Sequence, residues 1–293
     1  MDSCSSKIIQ NTNNILIKIR DSKVLNRIYD NVFWYKLFKI IKYNKKINKY
    51  LDLDNNLSPI IIEIIPYEDR EGIFINIFKE EEKFTHVYFD DDPYEYKTNY
   101  LDKNHHIKKI KILINPSMKE CTYLFYKCLV IKSITFIQFK RHNIYYMNYM
   151  FSRCYNLQNI EFNEFNTDVV VSMKLMFYKC YNLKILDLKK FNMKNVLDYS
   201  GMFYKCENLT DINIDYFYFE NAVNTEFMFA YCYSLRHVYL GILDLHNIES
   251  KLYMFYDCGD EDFFDHLLRR NPNIPINTYY YDQFIYSNID III

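Results

Sequence analysis

Across residues 107–258 the apolar positions recur in a frame that does not slip. A large apolar residue is followed by Phe and, three positions later, by Cys: Phe125 with Cys128, Phe151 with Cys154, Phe177 with Cys180, Phe203 with Cys206, Phe229 with Cys232, and Phe255 with Cys258. Consecutive cysteines are 26 residues apart. One unit of that length cannot bury its own apolar face, so neighbouring units must stack to make a core. In the clearest unit, Leu183, Leu186 and Leu188 have the alternation of a short strand with one apolar side. Val196, Tyr199, Met202, Phe203 and Cys206 follow at steps of three and one, which predicts a helical turn returning on the opposite flank. The expected fold class is therefore α/β: a solenoid with one short strand plus one helical turn per 26-residue coil.

The pattern before the repeats differs. Residues 1–55 read as a basic helical leader, with Val32, Phe33, Leu37, Ile40 and Ile41 at helical spacing and Lys36, Lys39 and Lys42 on another face. Residues 56–106 read as a small β-rich module with strands at Ile60–Ile65, Ile73–Phe78 and Phe84–Phe89, separated by acidic turns. The triplet Asp90, Asp91, Asp92 lacks the Gly and distal Glu of an EF-hand loop and predicts a solvated turn. A capping strand at Ile107–Ile112 opens the repeat region at 107–258, and residues 259–293 form the C-terminal cap.

The run from Met176 through Cys180, Leu183 and Leu188, together with Phe165 to Asp168, resembles the BspA-like leucine-rich repeats in their 26-residue variant, found in mycoplasmas, protists and large insect viruses. The resemblance covers about 107–258 and rests on six anchors in phase. It implies a leucine-rich-repeat solenoid used for interaction or adhesion, with no catalytic residues attached to the repeat. The stretch from Lys36 to Lys45 is similar to the leader of intracellular protist relatives.

Hydrophobic content of 50% and aromatic content of 18% suit a sizeable core, while 30 Tyr and 23 Phe beside abundant Ile, Asn and Lys point to an AT-rich genome. A formal net charge of −1 argues against a general nucleic-acid binder. The N-terminus leads into no apolar run of signal-peptide length and no 18-residue uncharged stretch occurs, so a cytoplasmic, monomeric chain with no transmembrane segment is expected. Six of the eight cysteines share one repeat position and their side chains point the same way, which predicts a ladder of buried, reduced thiols.

Three columns of strand positions point outward. Lys132, Gln158, Lys184, Thr210 and Arg236 form one; Ser133, Asn159, Ile185, Asp211 and His237 the second; Thr135, Glu161, Asp187, Asn213 and Tyr239 the third. They vary in chemistry where the inward positions stay apolar, as a recognition face does. The candidate binding residues are Lys132, Gln158, Glu161, Lys184, Asp187, Asp211, Asn213, Arg236, His237 and Tyr239. A plain solvated surface, with Lys184 paired to Asp187, is the alternative. A further column, Lys127, Arg153, Lys179 and Lys205, falls in the last turn of the predicted helices, where cations suit the negative dipole end. No phosphate-binding Gly loop, nucleophile elbow or zinc-ligand spacing is present, so no enzyme activity, cofactor or metal is expected. The expected function is a protein-binding scaffold using the concave strand face. The alternatives are a substrate-recruiting adaptor with an F-box-like leader, and a surface adhesin.

Overall fold

The computed structural model describes residues 59–274 apart from 78, 80–81, 91, 116–117, 119–120, 216, 240–244, 246–247 and 272–273. The leader expected over 1–55 and most of the cap expected over 259–293 lie outside the described residues.

Five strands build the largest sheet. Their ranges are β1 (Ile60–Pro66), β3 (Thr85–Phe89), β5 (Ile110–Ile114), β6 (Ile131–Gln138) and β7 (Asn159–Phe162), in the spatial order β3-β5-β1-β6-β7. β1 pairs antiparallel with both β5 and β6, whereas β6 and β7 run parallel at a 26-residue offset, Ser133 facing Asn159 and Ile134 facing Ile160. β1 therefore covers the edge that the first repeat strand would otherwise leave open, a recurring way to protect a sheet. Ile60, Ile62 and Ile64 of β1 are fully buried. Between β1 and β3, only β2 (Gly72–Ile73) of the run expected at 73–78 is a strand, and it pairs with β4 (Tyr100–Leu101). Asp90 and Asp92 of the Asp triplet hold local chain together: Asp90 Oδ1 accepts the amides of Lys108 and Lys109 at 3.0 and 2.9 Å, and Asp92 accepts the Tyr94 amide and the Tyr96 hydroxyl.

The third sheet is β8 (Ile185–Leu186), β9 (Asp211–Asn213) and β10 (His237–Tyr239), all parallel and again offset by 26 residues. On the opposite flank a second set of parallel bridges joins Tyr146, Ser172, Asp198, Asn224 and Ser250 at the same offset.

These findings overturn the α/β leucine-rich-repeat solenoid expected from the sequence. Apart from three short 3-10 turns and one α-helix, the described residues form strands and turns, with the strands in three separate sheets, one of them mixed, and no described unit contains a helical turn of α type. Among the described residues the one α-helix is α1 (Glu261–Arg270), which lies beyond the repeats. Apolar steps of three and one suit a chain of tight turns as well as a helix. In each unit two residues four apart take positive φ: Tyr123 and Lys127, Tyr149 and Arg153, Leu175 and Lys179, Gly201 and Lys205, Phe227 and Tyr231, Tyr253 and Asp257. A left-handed residue cannot continue a right-handed helix. The freed amides look outward to the next unit: Phe151 N–H donates to Met176 O at 2.9 Å and Phe177 N–H to Met202 O at 2.9 Å. The backbone groups that a helix would satisfy internally are satisfied between units.

Between the flanks lies a continuous core. The rings of Phe125, Phe151, Phe177, Phe203, Phe229 and Phe255 are all fully buried and stack face to face at 5.1 to 5.6 Å, their planes within 12° of parallel. At the far end Phe263 of α1 closes against Phe255 at 6.3 Å, and Asp260 caps that helix by accepting the Phe263 amide.

Candidate protein-binding face

The cysteines hold the units at constant spacing. Four of the thiols donate to the carbonyl of a Phe 29 residues earlier: Cys154 to Phe125 at 2.9 Å, and Cys180 to Phe151, Cys206 to Phe177 and Cys232 to Phe203 at 3.1 Å each. These thiols are more than small apolar fillers. Burial pushes Cys154 and Cys232 up to about 12 and carries Cys128, Cys180, Cys206 and Cys258 well above the ordinary thiol value. Outside the core an Asn in three successive units clamps the loop of the unit before it. Asn156 donates to Leu129 O at 2.8 Å, Asn182 to Tyr155 O at 2.9 Å and Asn208 to Tyr181 O at 2.6 Å.

On this frame the candidate residues share one face. Lys132, Gln158, Glu161, Lys184, Asp187, Asn213, Arg236 and His237 are exposed and Asp211 is half-buried, while Tyr239 sits at the end of β10. Strand alternation produces this: Ile134, Ile160, Leu186 and Ile212, the neighbours of these positions, turn into the core. The face has two parts. Lys132, Gln158 and Glu161 belong to the β6-β7 edge of the five-stranded sheet, and the remaining candidates belong to the β8-β9-β10 sheet or flank its strands.

Charges on the face are mixed. His237 Nδ1 lies 2.9 Å from Asp211 Oδ1, and a hydrogen bond from Thr210, ahead of the one from His237, holds the Asp211 carboxyl below its usual value. Asp187 pairs with Lys189 at 2.7 Å, so the Lys184 pairing considered from the sequence is replaced by a neighbour on the same strand end. Burial would raise the Asp187 carboxyl, but the hydrogen bonds from Lys189 outweigh it and the net shift is downward. Thr135 donates to Glu161 across β6 and β7 at 3.4 Å.

Ile185, absent from the candidates, is 65% exposed in the middle of the face. Its signal was available, since it occupies an outward column. Also missed was the apolar stripe of Tyr145, Leu197 and Val223 on the opposite flank, legible in the same 26-residue recurrence. The positions Lys127, Arg153, Lys179 and Lys205 do not end helices. They are left-handed turn residues, which removes the dipole explanation for their charge.

Among the described residues no group of three or more His, Cys, Asp or Glu could hold a metal ion, and no helix is long and apolar enough to cross a membrane.

Residues 119–242 match a family described as Mycoplasma protein of unknown function, DUF285. The match spans less than half of the chain; that family is related to the BspA-like mycoplasma repeat proteins, and the match does not extend to the leucine-rich-repeat family. No curated protein and no solved structure matches the chain.

Proposed function

We propose that the chain acts by binding a protein partner on the strand face rather than by catalysis. The observation that carries this reading is Ile185, 65% exposed among charged and amide side chains of both signs. An apolar centre inside a polar surround is how interfaces that form and dissociate are built. The core behind the face is uniform, so the outward side chains are free to differ from unit to unit and define one partner. Placement inside the cell belongs to the same proposal. The seven described cysteines are free thiols, as a reducing compartment favours.

The test is capture of a partner from the native cell by the full chain, repeated with Lys184→Glu plus Asp211→Lys and with Ile185→Asp. Both variants alter exposed or half-buried side chains, so the melting curve should hold while the partner is lost. Retention of the partner by both variants, at unchanged stability, contradicts the assignment of the face.

A further inference from the structure

We propose that the ridge of Lys127, Arg153, Lys179 and Lys205 is a second binding surface, one that receives an extended acidic peptide segment. Its backbone is fixed by the stack. Lys127 N–H donates to Ser152 O at 3.0 Å, Arg153 to Tyr178 O at 2.6 Å, Lys179 to Tyr204 O at 2.9 Å and Lys205 to Ala230 O at 2.9 Å. These bonds hold the four residues in line, one unit apart, at roughly the 4.8 Å of paired strands. Four cations in such a row repel one another.

The backbone does not ask for them. Left-handed turn positions favour Gly, Asn or Asp, and Tyr231 and Asp257 occupy the same position in the last two units. Among the described residues no carboxylate forms an ion pair with Lys127, Arg153 or Lys179. Tyrosine rings hold the charges instead: Lys127 lies 5.2 Å from the Tyr126 centroid, Arg153 and Lys179 lie 5.5 and 5.0 Å from Tyr178, and Lys205 lies 5.4 Å from Tyr204 and 5.1 Å from Tyr231. A cation on a ring keeps its charge available to an incoming anion. The row is thus a pre-aligned line of positive charge with no internal counterion in its first three units.

The rings also decide between polyanions. Non-specific binding of single-stranded nucleic acid stacks bases on free aromatic faces. Tyr178 and Tyr204 are buried and stacked on each other at 5.3 Å, and Tyr155 and Tyr181 pair at 5.0 Å, so these faces are already used. An extended peptide needs no stacking. Its alternate side chains recur about every 6.8 Å, within reach of long Lys and Arg side chains on this pitch.

The experiment titrates the full chain with a fluorescent peptide of about eight glutamates, with a matched lysine peptide and an oligothymidylate of similar charge as comparators, near ~0.15 M salt. The glutamate peptide should bind, weaken as salt rises, and lose about tenfold in affinity in Arg153→Glu with Lys179→Glu while Lys184→Glu with Asp211→Lys leaves it unchanged. If the reversed pair fails to fold, Arg153→Gln with Lys179→Gln carries the same test by removing the two charges without adding negative ones. Absence of binding, equal affinity in the ridge variants, or tighter binding of the oligothymidylate overturns the proposal.

Discussion

The thiol of Cys180 donates to the carbonyl of Phe151 in the preceding unit, 3.1 Å away, and that same carbonyl accepts the amide of Cys154. One oxygen thereby joins its own turn to the next one. A repeated Cys is suited to this because it is small enough for the stack, apolar enough for burial, and still a donor.

Replacing Cys180 by Ala should cost about 1–2 kcal/mol, from a lost weak hydrogen bond and a small cavity, because Phe151 O keeps its amide partner. Urea melts measure it. Alkylation should label Cys154, Cys180, Cys206 and Cys232 only after unfolding.

Alkaline pH should destabilise the fold. Unfolded thiols ionise near about 8.5, whereas buried Cys154 and Cys232 keep their protons up to about 12. Between these values the native chain binds more protons than the unfolded one, so stability falls as pH rises. The contribution is complete below about pH 8.5 and gone by about pH 12. Denaturant midpoints recorded from pH 7 to 10.5 should decline, and a variant with Ala at Cys154 and Cys232 should decline less steeply.

Phe177 is stacked between Phe151 at 5.3 Å and Phe203 at 5.6 Å and is fully buried. Phe177→Ala should destabilise by about 3–5 kcal/mol, and Lys184→Ala, on the exposed face, by less than about 0.5 kcal/mol. Equal midpoints for the two would contradict the assignment of inward and outward positions.

Gly201 has φ +57°, and a Cβ there would meet Leu175 Cδ2 at 2.5 Å. Gly201→Ala should cost about 1–2 kcal/mol from left-handed strain, plus the displacement of Leu175. The clash is local, so Leu175→Ala should offset part of the cost. A double-mutant cycle with clear non-additivity would show it.

The 26-residue period, the buried Phe and Cys anchors and the outward strand columns were legible because each is written once per unit, and the Asn clamps because they recur in three successive units. The turns were not. Val196, Tyr199, Met202 and Phe203 are all buried, as their spacing demands, yet the spacing cannot show that Gly201 and Lys205 take left-handed backbone between and after them. Ordinary residues such as Leu175, Phe227 and Lys179 adopt positive φ because neighbouring units supply their hydrogen bonds, a constraint present only in the stack. The split of the strand face between two sheets was hidden too, since Asn159 to Phe162 and Ile185 to Leu186 look alike in pattern.

The central claim, that the strand face receives a protein partner, is tested most directly by footprinting the complex with a carboxyl- and lysine-modifying reagent pair. Lys132, Glu161, Lys184 and Asp187 should lose reactivity on binding, whereas Lys127 and Lys179 on the ridge should keep theirs. Protection confined to the ridge lysines, with Lys184 and Asp187 still reactive, would contradict it.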